Sequence, residues 1–247
     1  MDSDGITLRS LQNEDLPALR TFVINTFGRK EPISVFLNTS LDAFTAYYDA
    51  FSHLCDMPTS MIACTSSNEI VSCFLTTPLD MTPNSLQRLH KIVAKLATGP
   101  FAEDLAGYLA LDAFMLDHYL RDKSIIDQRG LIITFCATAD GFEGKRLMRR
   151  LCCQSLLRAK ELGWNFFTVD CTNPATHYLS RGLKFQDKAE IPFAELVWDG
   201  RKPLLGMKGS VLVTQKDLRT FDMSEVVWLQ SVGRRTPNSE FPPYAKL

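Results

Sequence analysis

The stretch from Leu131 to Phe185 constrains this chain more than any other, because its pattern favours one order of elements: strand, loop, helix, strand, helix. Leu131 to Thr138 (LIITFCAT) is apolar, β-branched and aromatic with no Pro or Gly, which suits a strand buried on both faces. Leu147 to Leu162 then places Leu147, Leu151, Leu156, Leu157 and Ala159 at roughly helical spacing, and Gly163 ends that helix. Asn165 to Cys171 (NFFTVDC) reads as a second short strand. A helix of this length can carry the chain back so that the two strands run parallel.

The chemistry such a unit offers lies in the loop Ala139-Asp140-Gly141-Phe142-Glu143-Gly144-Lys145-Arg146. A helix start presents N–H groups without internal partners and a partial positive charge, so a glycine-containing passage into it can hold a phosphate or pyrophosphate. Loops of the same composition also join strands to helices without binding anything. The residues alone leave both readings open.

Taken whole, the stretch resembles the acetyl-CoA-binding core of the GNAT superfamily of N-acetyltransferases, in which a loop of the form Arg/Gln-x-x-Gly-x-Gly/Ala opens the helix. Glu143 stands where the superfamily usually has Arg or Gln, Gly144 falls on the usual intervening glycine, Arg146 replaces the first motif glycine and Met148 the small last residue. Asn173-Pro174-Ala175 and Leu183-Lys184-Phe185 match the superfamily's Asn-x-x-Ala and closing Leu-Gly-Phe in spacing, with Lys184 at the glycine. The resemblance implies an α+β fold with a largely antiparallel central sheet flanked by helices. It also implies acetyl-CoA as cosubstrate, held along Phe135, Cys136, Ala137 and Thr138 of the strand and by Glu143, Gly144, Lys145, Arg146, Leu147 and Met148 of the loop and helix start.

At the N-terminal end, Ile6 to Arg9 reads as a strand, and Asn13-Glu14-Asp15 caps an amphipathic helix carrying Leu16, Leu19, Phe22, Val23 and Phe27 that Gly28 is expected to close. In the following Arg29-Lys30-Glu31-Pro32-Ile33, Pro32 disfavours the α region for Glu31 and carries its carboxylate on a rigid, non-helical segment. That carboxylate is either a solvated loop acid paired with Arg29 or Lys30 or a group presented for chemistry. The segment resembles the Phe-x-x-x-Glu-Pro-Leu signature of the invertebrate arylalkylamine (dopamine-type) N-acetyltransferases, which implies that Glu31 is the general base. The same resemblance implies a proton relay through two hydroxyls at the places of Thr172 and Thr176, which share one face if their turn is helical. The superfamily's usual general acid, a Tyr five residues before the closing Phe, is Ser180 here, and Tyr178 is displaced by two. Thr172, Thr176 and Tyr178 are therefore all candidates for protonating the departing thiolate.

Between these parts, Asn38 to Leu54 reads as a helix capped by Thr39 or Ser40, whose Phe44, Tyr47, Tyr48 and Phe51 form either core or the wall of an amine pocket. Ser60 to Cys64 and Ile70 to Thr76 read as a hairpin, and Pro78 to Pro83 as a break. Helices at about Ser85 to Ala97 and Glu103 to Tyr119 form an insertion (about 85–121) that fits the arylalkylamine subgroup and would wall the acceptor site. Ala189 to Leu196 resembles that family's Ile-Pro-Tyr-Ala-Asp-Tyr strand, Asp199-Gly200 is a turn signal, and Ser210 to Thr214 is the last strand. The resemblance assigns 1–218 to the acetyltransferase domain and leaves 219–247 as a C-terminal extension.

At 247 residues, 45% hydrophobic and 22% charged, the chain can bury a sizeable core without disulfides or a metal. A formal net charge of -1 gives no general attraction to nucleic acid or anionic membrane. Seven cysteines without C-x-x-C spacing, no apolar N-terminal signal segment and no apolar run of transmembrane length point to reduced thiols in a cytoplasmic protein. The expectation is a monomer or weak dimer that transfers acetyl from acetyl-CoA to a small amine, an arylalkylamine rather than a polyamine, with no metal. Two alternatives stand beside it. Glu143 and the Cβ of Arg146 in the loop favour a pseudoenzyme or binding protein, and an open groove would favour a protein-lysine acetyltransferase.

Overall fold

The computed structural model describes residues 5–80, 83–122, 125 and 128–221. Their elements in chain order are β1 (Thr7–Ser10), α1 (Leu16–Lys30), α2 (Pro32–Leu37), α3 (Leu41–Ser52), β2 (Met61–Cys64), β3 (Ile70–Asp80), α4 (Pro83–Ala97), α5 (Ala106–Arg121), β4 (Arg129–Thr138), α6 (Leu147–Glu161), β5 (Phe166–Cys171), α7 (Pro174–Gly182), β6 (Gln186–Pro192) and β7 (Ser210–Asp217). Among these residues seven strands form one sheet in the order β1-β2-β3-β4-β5-β7-β6. Every neighbouring pair is antiparallel except β4 and β5, which α6 joins as the parallel crossover expected. This is the mixed α+β architecture anticipated.

Strand alternation sorts the side chains into two cores. Phe135, Ala137 and Phe166 pack with α1, α3 and α5 on one face, whereas Leu131, Phe167, Val169 and Cys171 pack with α6 on the other. Burying a ring such as Phe44 or Phe135 contributes about 1.5–3 kcal/mol, so these faces hold the helices to the sheet. Pairing of β4 with β5 covers only Gly130 to Ile132. Beyond it β5 pairs with β7 alone, so the two central strands part company toward their C-terminal ends. Thr134 is an extra residue in the β3–β4 ladder, between Ile133 opposite Thr76 and Phe135 opposite Leu75, and this bulge bends β4 at the point of separation.

Five local expectations are corrected. Gly28 does not close α1, which runs on to Lys30. Its missing side chain instead admits the ring of Phe44, which a Cβ there would meet at 2.5 Å. Glu31 is non-helical, but Pro32 begins a short helix, as its fixed φ suits a first helical position. α3 starts only at Leu41, with Ser40 accepting from the Ala43 amide. Pro78 does not break β3. β2 pairs with β3 no further along than Met61 opposite Phe74, so among the described residues Pro78 lies where β3 has a strand partner on one side only, and the strand continues to Asp80. Finally, β6 stops at Pro192 and Phe193–Glu195 forms a 3-10 turn. The Asp199-Gly200 turn forms as expected, both residues having positive φ between the bridged Trp198 and Arg201. Of the C-terminal extension, 222–247 lie outside the described residues.

Candidate active site

Glu31 joins α1 to α2. Its extended backbone (φ -65°, ψ 130°) turns the side chain back over α2, where Oε2 accepts the Ser34 amide at 3.0 Å as a helix cap. Oε2 also accepts from the Tyr108 hydroxyl at 2.8 Å, and Tyr108 is bridged to Ser34 Oγ at 2.6 Å. The solvated-loop alternative does not hold: the residue is only 4% exposed, and Lys30 points elsewhere. Burial raises the Glu31 pKa, while the Ser34 amide and the hydroxyls of Tyr108 and Thr172 pull it back down. Oε1 is shielded from solvent and has no hydrogen-bond partner among the described residues. A buried carboxylate with one committed and one open oxygen can accept a proton from a group that enters beside it.

Thr172 and Thr176 do not share a face. Thr172 continues the alternation of β5 on the side of Thr168 and Asp170, and so comes within reach of Glu31. Asn173 then caps α7, which makes Thr176 the third helical residue. Its amide bonds to Asn173 Oδ1 at 3.0 Å and its hydroxyl donates to the Asn173 carbonyl at 2.8 Å. Thr176 lines a narrow apolar crevice with Ile133, Cys136 and Ser180, whose hydroxyl lies 3.1 Å from Cys171 Sγ. Tyr178 is placed with neither. It is 68% exposed on the outer side of α7, beside His177 and Arg181.

The loop at the end of β4 leads into the start of α6. The first backbone bond of α6 runs from the Arg150 amide to the Arg146 carbonyl at 3.1 Å, so the amides of Leu147, Met148 and Arg149 fall outside its ladder. Glu143, Gly144, Lys145 and Arg146 are exposed, while the Leu147 side chain is buried in the core under α6 and offers only its amide. Arg146 holds the left-handed conformation (φ 59°) that the superfamily's glycine would adopt without strain. Glu143 is turned away from the helix start: Oε1 pairs with Lys30 Nζ at 2.9 Å and Oε2 accepts from the Gly141 amide at 3.0 Å. Lys30 also pairs with Asp140. A cation from the end of α1 thus neutralises both loop acids. What remains at the helix start is the amides of Leu147 to Arg149, which lie outside the helix ladder, with Lys145, Arg146 and Arg149, a donor set that fits a pyrophosphate.

Phe135 is fully buried and meets the rings of Phe27, Phe44, Tyr47 and Tyr48, so the aromatic face of α3 is core at this point. Cys136 and Thr138 are half-buried, and Ala137 is buried. Beyond Ile132 the β5-side edge of β4 has no strand partner among the described residues, which leaves backbone groups of 133–138 facing the gap. Sequence reasoning missed Ser34, Tyr108, Asp112 and Asp170. The signal for two of them was present: Tyr108, Asp112 and Tyr119 stand four and seven residues apart on an otherwise apolar helix.

Neither protein-family models nor curated protein sequences match the chain. Solved structures do. An agmatine N-acetyltransferase in its apo form superimposes with a TM-score of 0.68 at 18% identity, over 86% of this chain and 99% of that one. A Drosophila melanogaster polyamine N-acetyltransferase gives 0.67 at 17% and arylalkylamine N-acetyltransferase 2 from Aedes aegypti 0.68 at 14%, each over 86% of this chain and 99% of its own. The class is thereby defined: the chain has the GNAT acyl-CoA N-acyltransferase fold. Within that class these matches are arylalkylamine and polyamine N-acetyltransferases.

Proposed function

We propose that this protein is an acetyl-CoA-dependent N-acetyltransferase acting on a small amine. The observation that carries the reading is Glu31: a buried carboxylate with one open oxygen, beside Thr172, at the gap where β4 leaves β5 and on the approach to a helix start furnished for a pyrophosphate. Acetyl-CoA bound there supplies an acetyl thioester, with its phosphates on the amides of Leu147 to Arg149 and on Lys145 and Arg146. Glu31 Oε1, directly or through a water, removes a proton from the acceptor ammonium so that the free amine can attack the thioester carbonyl. Backbone donors of β4 in the stretch Phe135 to Thr138 stabilise the oxyanion. Thr172 or Thr176 returns a proton to the leaving sulfur, and the outward position of Tyr178 disfavours it for this role.

The pseudoenzyme alternative rested on Glu143 repelling phosphate and on the Cβ of Arg146 at a glycine position, and the Lys30 pairing weakens the first of these objections. All seven cysteines are unpaired, which supports a reducing, cytoplasmic setting. Among the described residues no helix is long and apolar enough to cross a membrane. Calorimetry with acetyl-CoA, followed by a screen of amines for CoA release, tests the reading. Micromolar-class binding and amine-dependent release are expected. No heat and no thermal shift at millimolar acetyl-CoA would overturn it.

A further inference from the structure

The extra residue Thr134 changes which side chains of β4 meet α6. Up to Ile133 the odd-numbered positions face that helix, but past the bulge Phe135 and Ala137 pack on the opposite face and Cys136 takes their place. Ile133 and Cys136 therefore open on the same side of the sheet, just beyond the last residue at which β4 pairs with β5. There they line the crevice already described, with Cys152 of α6 and with Thr176 and Ser180 of α7.

What the crevice can hold follows from its walls. Phe74, Val169, Leu183 and Phe185 supply bulk, and Cys136 and Cys152 are the small apolar side chains between them. Both hydroxyls in the wall are bonded elsewhere: Thr176 donates to the Asn173 carbonyl at 2.8 Å, and Ser180 Oγ lies 3.1 Å from Cys171 Sγ. Burial pushes the Cys136 thiol up to about 12 and that of Cys152 well above its ordinary value, so both stay neutral. The surface presented inside is carbon and uncharged sulfur. A carboxylate or ammonium entering it would lose its water without gaining a partner. The free space is about 10 Å³, roughly that of one water-sized group. A methyl is of that size, and a longer chain is not.

We propose that this crevice receives the acyl group of the donor and limits it to acetyl, with Cys136 and Cys152 setting the depth. The inference rests on the reading of the gap between β4 and β5 as the donor site of an acyl-CoA-dependent transferase. Tyr108, which holds Glu31, packs on the other face of the sheet, so an acyl chain directed toward α6 stays clear of an amine arriving at the base. The two sides are near each other, since the Glu31 charge adds to the rise at Cys136. Each methylene beyond acetyl has to displace packed side chains, and a hydrophobic pocket of fixed size discriminates by about tenfold or more per methylene.

Calorimetry with CoA, acetyl-CoA, butanoyl-CoA and succinyl-CoA tests the proposal, together with CoA release from each donor in the presence of 2-phenylethylamine and of 1,4-diaminobutane. In the wild type, butanoyl-CoA and succinyl-CoA are each expected to fall about tenfold or more below acetyl-CoA in affinity and in rate of CoA release. Cys136→Ala and Cys152→Ala each remove a sulfur from the wall and should raise the butanoyl-to-acetyl ratio by about fivefold or more, whereas Cys171→Ala, behind Ser180, should leave it unchanged. The wild-type comparison needs no variant and decides even if one fails to fold. Butanoyl-CoA accepted as well as acetyl-CoA, a preference for succinyl-CoA, an unchanged ratio in both wall variants, or a rise in Cys171→Ala as large as theirs overturns the proposal. Binding in this chain-length order by a protein that transfers nothing supports the crevice and sinks the transferase reading. Amine-dependent CoA release indifferent to chain length does the reverse, and no binding of any of the four overturns both.

Discussion

The Tyr108 hydroxyl donates to Glu31 Oε2 at 2.8 Å across 77 positions of sequence. Gly107 makes the contact possible. A Cβ there would lie 2.7 Å from Ile33 and 2.8 Å from Leu37 and Leu204, so only glycine lets α5 come this close to α2. The bond fixes the carboxylate's orientation and leaves Oε1 as the open oxygen, which is why a helix inserted before the central strand bears on the chemistry at the end of α1.

Replacing Glu31 with Gln is expected to lower turnover about 10²- to 10⁴-fold while leaving acetyl-CoA binding nearly unchanged, the usual effect of losing a general base. The deficit should shrink as pH rises, because a lysine-like acceptor amine deprotonates unaided near pH ~10. Steady-state rates from pH 6 to 10 check this. A mutant equal to wild type at neutral pH, or a deficit independent of pH, would show that Glu31 is not the base.

Tyr108→Phe removes a donor that lowers the Glu31 pKa and leaves burial, which raises it, unopposed by that bond. The acid limb of the kcat/KM profile should move to higher pH, since the base works only when ionised. Chemical denaturation should register a loss of about 1–3 kcal/mol for the unsatisfied buried groups. An unmoved acid limb would separate Tyr108 from the base.

At Arg146 the left-handed backbone sets glycine apart from alanine. Arg146→Gly should be about 1 kcal/mol more stable than Arg146→Ala, because a Cβ costs about 1–2 kcal/mol in that region and glycine's flexibility returns part of the difference. Both should weaken acetyl-CoA binding through the lost guanidinium. Tighter binding by the Gly variant would mean instead that the side chain blocks the site.

Removing the Lys30 cation exposes the loop acids. Lys30→Ala is expected to weaken acetyl-CoA binding by about two- to fivefold, the scale of an exposed ion pair, and Glu143→Gln in the same chain should recover most of it. Titrations of the two singles and the double measure the coupling. Additive effects would mean that Glu143 never faced the phosphates.

With folded pKa values of about 7 against about 3.9 unfolded, Asp112 and Asp170 bind more protons folded than unfolded between those limits. Stability from these groups is therefore present at low pH and declines as pH rises toward 7, flattening above it. Asp112→Asn removes one of the two. Its melting temperature relative to wild type should rise by several degrees between pH 5 and pH 8, and a constant difference would show that the Asp112 carboxyl is not raised.

Much of the fold was legible because it is written in local periodicity. The strand at 131–138, the helix from Leu147 and the strand ending at Cys171 each bury a continuous apolar pattern, and a short helical return between parallel strands admits only one hand. The glutamate before Pro32 and the cap at Asn173 are equally local, a side chain meeting an amide three residues on. The rest depends on which faces of distant elements come together. Thr172 and Thr176 looked equivalent by spacing, yet one lies just past the end of β5 within reach of Glu31 and the other sits inside the cap of α7 in the crevice beside Ile133 and Cys136. Pro78 could join a strand because β2 pairs with β3 no further along than Phe74. The joining of Tyr108 to Glu31, and of Tyr47 and Tyr119 to two aspartates, rests on α5 lying against α2 at Gly107, a packing contact between side chains that no spacing rule encodes.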